Sequence, residues 1–321
     1  MQTRKLGWSG LEFSEIGLGT WAMGGGDWAF SWGVQDDEVS LRTIHRAVEL
    51  GINWIDTAAV YGLGHSEEIV GKALREVTPR PLVATKFSRR WDAQGAPYSN
   101  LKAQSVRDEI ENSLRRLNVE AIDLYQMHWP RPDEDVEEGW GTVADLVKEG
   151  KVRYAGVCNF NVEQLKRIQS ILPPASLQPP YSMLRRGLEG ELLNYCAANE
   201  IGVIVYSPMQ KGLLTDKLTR SWVESLPADD HRRHDTDFQE PRLSQYLRLV
   251  EKLQPVAKQH KRSVAELAIA WTLRWPAVTS AIVGARKPGQ IEETVRASGW
   301  RLSPGELAQI EGFLSELTDI A

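Results

Sequence analysis

The length, the composition and the hydrophobic pattern of this 321-residue sequence predict an α/β fold whose parallel strands close into a barrel. The composition, with 42% hydrophobic and 25% charged residues, is that of an ordinary globular protein with a large core. Short apolar runs of strand length alternate eight times with amphipathic stretches of helical period. Parallel strands each need a crossover helix, and a closed ring of eight removes both edges of the sheet. We therefore predict one (β/α)8 barrel domain, a TIM barrel, over residues 1–321.

The eight predicted strands are short apolar runs between polar or turn-forming residues. They are Glu15–Trp21, Asn53–Thr57, Leu82–Phe87, Ile122–His128, Tyr154–Asn159, Ser176–Gln178, Val203–Ser207 and Ser280–Val283. The predicted helices keep apolar residues three or four positions apart, as in Asp37–Leu50, which Gly51 terminates. The others are Ser66–Glu76, Ser105–Leu117, Val136–Glu149, Val162–Ile171, Glu189–Asn199 and Val264–Trp275.

Additional elements are predicted at both ends of this repeating pattern. They are an N-terminal β-hairpin of Arg4–Leu6 and Leu11–Ser14, which caps the barrel floor, and the extra C-terminal helices Ser244–Gln259 and Pro304–Leu317. Ser303 and Pro304 supply the N-cap and the first helical residue of the last helix.

Residues 222–242 fit neither the strand nor the helix period. The segment holds Pro227 and Pro241, several charged residues and few core residues. Because it follows the seventh strand, it would lie on the face where barrel active sites are found. Two interpretations stay open: the segment folds over a ligand, or it is a mobile surface excursion.

Charge and cysteine content exclude several classes of protein. Thirty-eight basic and 43 acidic residues give a net charge of −5, so we expect neither nucleic acid nor an anionic membrane as a partner. Cys158 and Cys196 lie far apart without a CxxC motif, so we expect no disulfide and no metal site, and a reducing, cytoplasmic location. The longest apolar runs are of strand length, which predicts neither a signal peptide nor a membrane span.

Four reactive side chains lie at or just after predicted strand ends: Asp56, Tyr61, Lys86 and His128. Singly, each has a plain structural explanation, such as a helix cap for the aspartate. A barrel, however, brings the carboxyl ends of its strands together, so we expect these side chains to form one cluster. There the Lys86 ammonium would lower the pKa of the Tyr61 phenol, Asp56 would keep the lysine charged, and His128 would orient a carbonyl oxygen. Such a cluster can protonate a carbonyl oxygen while hydride reaches the carbon.

No amino-acid side chain donates hydride, so this chemistry requires a nicotinamide cofactor. Gly24–Gly26 lack the GxGxxG spacing of a dinucleotide-binding turn. A better phosphate site is the strand–turn–helix segment Ile282–Pro288, where backbone N–H groups and the helix dipole face the loop. Arg286 adds a charge suited to a 2′-phosphate, and Gln290 and Glu293 follow at positions suited to adenine or ribose.

Nine segments, in order along residues 17–294, resemble those of the aldo-keto reductase family. They are Gly17–Trp21, Ile55–Ala58 with Tyr61–Gly62, Ser66–Glu67, Ala84–Lys86, Gln126–Trp129, Gly156–Phe160, Gln178–Ser182, Tyr206–Met209 and Ile282–Ala285. The spacing of residues 212–215 and the long 222–242 loop are similar to the bacterial general-stress and inositol-related branch and to potassium-channel β-subunits. The resemblance implies a (β/α)8 barrel that uses NADPH/NADP+, with Tyr61 as general acid, Asp56 and Lys86 tuning it, and His128 orienting the substrate.

The resemblance also implies a cofactor cleft. Asn159 and Gln178 match the positions that hold the carboxamide, and Tyr206 matches the aromatic residue that stacks on the nicotinamide. The remaining implied cofactor residues are Thr20, Trp21, Asp56, Ser207, Pro208, Met209, Gln210, Lys211, Gly212, Leu213, Lys217, Gly284, Arg286, Gln290 and Glu293. Tryptophans in predicted loops indicate an aromatic-walled pocket for apolar or sugar-like carbonyls, formed by Trp21, Trp28, Trp32, Trp91 and Trp129.

The favoured interpretation is an NADPH-dependent reductase of small aldehydes and ketones that also oxidises alcohols. The alternative is a cofactor-bound binding or redox-sensing module with slow turnover, as in channel β-subunits. The presence of His128 favours the enzyme. A Schiff-base aldolase that uses Lys86 would share the barrel, but it explains neither Tyr61 beside Asp56 nor the cofactor segments. Substrate, direction of reaction and oligomeric state stay open.

Overall fold

The computed structural model describes residues 1–26 and 28–318, and it confirms the predicted barrel. Its strands are β1 (Thr3–Lys5), β2 (Glu12–Ser14), β3 (Ile16–Gly19), β4 (Trp54–Asp56), β5 (Leu82–Phe87), β6 (Arg89–Trp91), β7 (Pro97–Ser99), β8 (Ile122–Met127), β9 (Val152–Cys158), β10 (Ser176–Gln178), β11 (Gly202–Tyr206) and β12 (Val278–Gly284). Eight of these pair in parallel in the order β3-β4-β5-β8-β9-β10-β11-β12. Strand β12 closes the ring by pairing with β3, from Ala281 opposite Ile16 to Gly284 opposite Gly19.

Helices surround this ring and alternate with its strands. They are α1 (Asp37–Glu49), α2 (His65–Leu74), α3 (Ala103–Leu117), α4 (Val136–Lys148), α5 (Val162–Gln169), α6 (Glu191–Ala198), α7 (Arg220–Glu224), α8 (Arg242–Gln259), α9 (Val264–Thr272), α10 (Pro288–Thr294) and α11 (Pro304–Leu314). Side-chain caps fix several starts: the Asp36 carboxylate accepts from the Val39 amide at 2.8 Å, and Ser303 caps α11 as predicted. None of the helices in the described ranges is long and apolar enough to span a lipid bilayer.

The predicted boundaries differ from the observed ones by a few residues. The last barrel strand runs over Val278–Gly284, beyond the predicted Ser280–Val283 at both ends, because all but its final residue is buried and apolar or small. The predicted helix Val264–Trp275 ends at Thr272, where the chain turns toward β12. The antiparallel pair β6–β7 has no counterpart among the predicted elements.

The hairpin β1–β2 closes the floor of the barrel, as predicted. Phe13 on this hairpin stacks on Trp54 of β4, with ring centroids 4.5 Å apart. The Trp54 indole donates to the carbonyl oxygen of Ser14 at 3.2 Å. The open end of the barrel is therefore the opposite one, where the strands end at their carboxyl termini.

Residues 222–242, here called the strap, are ordered around two short 3-10 helices, His231–His234 and Thr236–Phe238. The Arg232 guanidinium lies 4.3 Å from the ring centroid of Trp32 and 5.2 Å from that of Trp222. The His231 ring stacks on Trp21, with centroids 5.1 Å apart. Of the two interpretations of this segment, the structure therefore favours a closed strap that packs over the open end of the barrel.

Candidate active site

Three of the four predicted reactive side chains meet in direct contact at the open end of the barrel. The Lys86 ammonium donates to Asp56 Oδ1 at 2.7 Å and to the carbonyl oxygen of Thr57 at 2.8 Å. Its Nζ also lies 3.3 Å from the Tyr61 hydroxyl. Only 1% of Lys86 is exposed, so its charge depends on these oxygen atoms rather than on water.

Two glycines place Tyr61 beside this lysine. Gly62 has φ +60°, and a methyl group there would lie 1.9 Å from the carbonyl oxygen of Gly24. The segment after β4 therefore packs backbone to backbone on the segment after β3. The Tyr61 ring consequently stacks near Trp21, with centroids 6.2 Å apart.

The acidity of Tyr61 differs from the prediction. Burial raises the pKa of the phenol to about 12, and the nearby Lys86 charge opposes this shift without cancelling it. The ammonium thus lowers the Tyr61 pKa as expected, but burial has the larger effect, so the net shift is upward. Burial also acts against the charge on Lys86, but Asp56 and Tyr61 outweigh it and raise the pKa of the lysine above its ordinary value. Near pH 7 the pair is a neutral phenol beside an ammonium.

His128 follows β8 directly and faces the Tyr61 ring edge-on, with centroids 5.9 Å apart. Burial lowers its pKa well below the ordinary value, and the charges on Lys86 and Arg89 act in the same direction. The imidazole is therefore neutral and offers one donor and one acceptor nitrogen. Within the described ranges, neither ring nitrogen has a hydrogen-bond partner in the protein, so both are available to a ligand.

Asp56 is held by glutamines that the sequence analysis only partly identified. Gln178 donates to Asp56 Oδ2 at 2.8 Å, and Gln126 lies 3.4 Å from the same oxygen. The resemblance assigns Gln178 to the cofactor carboxamide, but in this structure its amide nitrogen donates a hydrogen bond to Asp56. Gln126 was not identified as a site residue. Its position two residues before His128, on the same face of the strand, could have indicated it.

A cavity of about 700 Å³ extends from this cluster toward β12. Most of the predicted site residues line it: Trp21, Trp28, Trp32, Asp56, Tyr61, His128, Trp129, Asn159, Gln178, Tyr206, Ser207, Pro208, Met209, Lys211, Gly212, Lys217, Gly284, Arg286, Gln290 and Glu293. Its volume lies within the range of roughly 300–1,000 Å³ found for cofactor and small-molecule sites. The tryptophans make its outer wall aromatic, as predicted from the loops.

Five of the predicted site residues do not line the cavity; one is Lys86, which contacts the lining residues Asp56 and Tyr61. Thr20 is buried, and its hydroxyl donates to the carbonyl oxygen of Asp56 at 3.1 Å. The amide of Gln210 is turned into the protein, where it donates to Asp237 at 3.0 Å. Leu213 belongs to the main hydrophobic core, and Trp91 lies on β6 beside Arg116. In this structure these side chains make their contacts within the protein, and their assignments to cofactor or substrate stay predictions.

Arg286 lines the far end of the cavity, but its donors are engaged within the protein. The guanidinium donates to the carbonyl oxygen of Trp32 at 2.8 Å, to Gln35 Oε1 at 2.8 Å and to the carbonyl oxygen of Val34. Gln290 in turn accepts from the Arg286 amide at 2.8 Å, so this amide closes the turn into α10. In this state Arg286 ties the loop after β3 to the turn after β12.

The same end of the cavity nevertheless suits a nicotinamide dinucleotide. Lys217 and Arg286 supply positive charge for phosphate groups. A methyl group at Gly284 would meet only one atom, at 4.0 Å, which leaves open space along the backbone of β12. The buried indole nitrogen of Trp32 has no partner within the described ranges. At the near end, the Tyr206 hydroxyl donates to Asn159 Oδ1 at 2.9 Å, which fixes an aromatic ring beside a carboxamide side chain.

The comparisons with known proteins agree with this geometry. A model of the aldo/keto reductase family matches residues 15–315. The chain is 39% identical over 317 residues to the aldo-keto reductase YhdN of Bacillus subtilis, covering 98% of this chain and 94% of the relative. It is 35% identical over 321 residues to a protein of Escherichia coli named NADH-specific methylglyoxal reductase, covering 95% and 96% of the two chains. The solved structure of the glycerol dehydrogenase AKR11B4 from Gluconobacter oxydans matches with a TM-score of 0.87 and 39% identity, over 95% of this chain and 93% of that one. This chain is a member of the aldo/keto reductase family, whose members are oxidoreductases that act on carbonyl groups with nicotinamide cofactors.

Proposed function

We propose that this protein reduces aldehydes and ketones to alcohols with NADPH, in a reversible reaction, and that Tyr61 donates the proton. The observation that carries the proposal is the contact of Lys86 with both Asp56 and Tyr61 at one end of a large cavity. When bound, the nicotinamide supplies hydride to the carbonyl carbon. Tyr61 then gives its phenolic proton to the oxygen that receives the electron pair.

The charges around Tyr61 favour the reduction direction near neutral pH. Because burial raises the Tyr61 pKa to about 12, the phenol holds its proton until the substrate oxygen becomes strongly basic. The Lys86 ammonium, 3.3 Å away, stabilises the phenolate that remains after the transfer. Asp56 compensates the charge on Lys86 before the reaction, and neutral His128 holds the carbonyl oxygen near the phenol by a hydrogen bond.

NADPH is proposed over NADH because of the cations at the adenosine end. Arg286 would contact the 2′-phosphate, which requires its guanidinium to exchange the carbonyl oxygens of Trp32 and Val34 for phosphate oxygens. Such an exchange would loosen the loop after β3. The Escherichia coli relative is named as NADH-specific, so the preference of this protein for NADPH needs a test of its own.

A fluorescence titration with NADPH and NADH, followed by addition of 4-nitrobenzaldehyde, tests the reaction class. We expect tight binding of NADPH and steady oxidation of it after the aldehyde is added. The variant Tyr61→Phe should still bind NADPH but lose reduction, since its ring packs alike and cannot donate a proton. Tyr98→Phe, which changes an exposed tyrosine on β7, is the matched control and should reduce normally.

Two results would count against the proposal. Binding without oxidation over a panel of carbonyls would favour the cofactor-bound sensing module. Loss of NADPH binding in Tyr61→Phe would make Tyr61 a structural residue.

The choice of cofactor has its own test. Arg286→Ala should weaken NADPH binding much more than NADH binding, whereas Arg296→Ala, whose guanidinium pairs with Glu266 instead, should alter neither. Equal weakening of both cofactors by Arg286→Ala would place the phosphate contact elsewhere.

A further inference from the structure

Two arginines that the proposed reaction does not use line the cavity at its catalytic end. Arg89 is the first residue of β6, just after β5, and Arg131 lies shortly after β8. Strands β5 and β8 are neighbours in the ring, and β11 and β12 lie on its opposite side. The two arginines therefore face Tyr61 and His128 from the side away from the cations assigned to the cofactor.

The two arginine-bearing segments are fixed to each other. Ser88 and Trp129, which precede the two arginines, exchange hydrogen bonds through the Ser88 hydroxyl and the Trp129 backbone, both at 3.2 Å. Arg89 is held further by its cross-strand partner, since it donates to Ser99 Oγ at 3.1 Å. The Arg131 guanidinium lies 5.4 Å from the ring centroid of Trp129. Hydrogen bonds and an aromatic contact therefore hold the two arginines in place relative to each other.

Neither arginine is neutralised by an acidic partner within residues 1–26 and 28–318. No carboxylate oxygen in these ranges lies within ion-pair distance of either guanidinium. The nearest acids in sequence are used elsewhere: Asp92 accepts from the Gln94 and Ala96 amides, and Asp133 pairs with Arg167. Burial lowers the pKa of Arg89, and the charge of nearby Arg131 lowers it further.

The catalytic groups at this end of the cavity add no net charge. The Lys86 ammonium is compensated by Asp56 at 2.7 Å, and His128 is neutral. Among residues 1–26 and 28–318, no acid compensates the two positive charges of Arg89 and Arg131, which lie between aromatic walls at the catalytic end of the cavity. Guanidinium groups in such a setting bind carboxylate and phosphate oxygens by paired hydrogen bonds.

We propose that Arg89 and Arg131 bind an anionic group of the substrate, so that this protein prefers aldehydes or ketones that carry a carboxylate or a phosphate away from the carbonyl. The inference rests on the proposed reductase function and adds the substrate class to it. The anion would lie between the arginines while its carbonyl reaches Tyr61 and His128.

Paired substrates that differ only in charge test this proposal. We would measure kcat/KM with NADPH for 4-carboxybenzaldehyde and for its neutral methyl ester, and for glyceraldehyde 3-phosphate and glyceraldehyde. We expect the anionic member of at least one pair to be favoured tenfold or more, and the preference to shrink as KCl is added. The benzaldehyde pair reports on a carboxylate and the glyceraldehyde pair on a phosphate.

Variants assign the preference to the two arginines. Arg89→Leu and Arg131→Leu should each lower the ratio of anionic to neutral kcat/KM by about tenfold to a hundredfold, the effect of losing a charge-assisted hydrogen bond. Arg89→Lys should restore part of the ratio. Arg90→Leu is the matched control, because Arg90 has the same charge one residue later but lies outside the cavity, near Asp108.

The outcomes separate this inference from the reductase proposal. Reduction of the neutral substrates with no preference for the anions overturns the inference alone, as does an equal effect of Arg90→Leu. A loss of NADPH affinity in Arg89→Leu would show that the arginines serve the cofactor instead, which also overturns it. If no carbonyl is reduced, the reductase proposal fails. Calorimetry with 4-carboxybenzyl alcohol and its methyl ester, on wild type and Arg89→Leu, then still decides whether the arginines bind anions.

Discussion

A buried carboxyl group behind the active site gives a sharp prediction about stability. Glu109 on α3 is 5% exposed, and its Oε1 accepts from the Ser88 amide at 3.3 Å. Its Oε2 has no partner in the described ranges, and neither has the buried hydroxyl of Tyr125. Burial raises the pKa of Glu109 to about 8, and the nearby charge of Glu67 adds to the shift, while the Ser88 amide opposes it.

The magnitude follows from proton linkage. The ordinary pKa of Glu109 is 4.5, so between about pH 4.5 and 8 the folded protein keeps a proton that the unfolded chain has released. The stability that the protonated Glu109 side chain contributes is fully present below pH 4.5 and is lost as the pH rises through 8. The loss is at most about 1.4 kcal/mol per pH unit. We therefore expect Glu109→Gln, which stays neutral, to be more stable than the wild type by about 1–3 kcal/mol at pH 7.5 and by little at pH 5.

Thermal and urea unfolding of the wild type and Glu109→Gln at several pH values between 5 and 8 measure this difference. Glu67→Gln is the matched control: Glu67 is also buried, but it pairs with Arg116 at 2.6 Å and accepts from Thr85. Losing that pair should destabilise the protein by about 3 kcal/mol or more at neutral pH. A Glu109→Gln difference that does not change with pH, or a destabilisation at pH 7.5, would refute the reasoning.

Three further predictions concern the catalytic end and the strap. Because the Tyr61 pKa is raised to about 12, the rate of the reduction step should stay constant between about pH 6 and 9. The rate of alcohol oxidation should instead rise with pH. A bell-shaped pH profile of the reduction step, measured by stopped-flow, would contradict this. Arg232→Ala removes the cation stacked on Trp32 and should speed NADPH release roughly tenfold, whereas the control Arg233→Ala should not. An unchanged release rate in Arg232→Ala would show that the strap does not retain the cofactor. Gln126→Leu removes a donor near Asp56 and should lower kcat severalfold without changing NADPH affinity, whereas a loss confined to KM would contradict a positioning role.

The barrel could be predicted because each unit of sequence carries its own local signal. Ser176–Gln178 is a strand with the predicted limits, and Ser303 with Pro304 marks the start of α11 by capping chemistry alone. The meeting of Asp56, Tyr61 and Lys86 followed from their places at strand ends, since the barrel topology brings those ends together.

What the sequence did not predict depends on competition between partners in three dimensions. Arg286 was predicted to supply a charge for a 2′-phosphate, but in this structure carbonyl oxygens of a loop some 250 residues earlier in the chain accept its hydrogen bonds. The Tyr61 pKa depends on burial against the Lys86 charge, and residue spacing does not give the balance. Trp91 resembles the other loop tryptophans in sequence, yet in the structure it lies beside Arg116 and does not line the cavity.

The placement of Arg89 and Arg131 also bears on how substrate preference evolves in such a barrel. Arg89 lies on a hairpin outside the ring and Arg131 lies in the connection after β8, so neither residue is part of a barrel strand. A change at either codon can alter the charge that meets the substrate while Asp56, Tyr61 and Lys86 keep their supports. On the proposed role of the two arginines, substitutions at these two positions would therefore change the preference between charged and neutral carbonyls without altering a barrel strand.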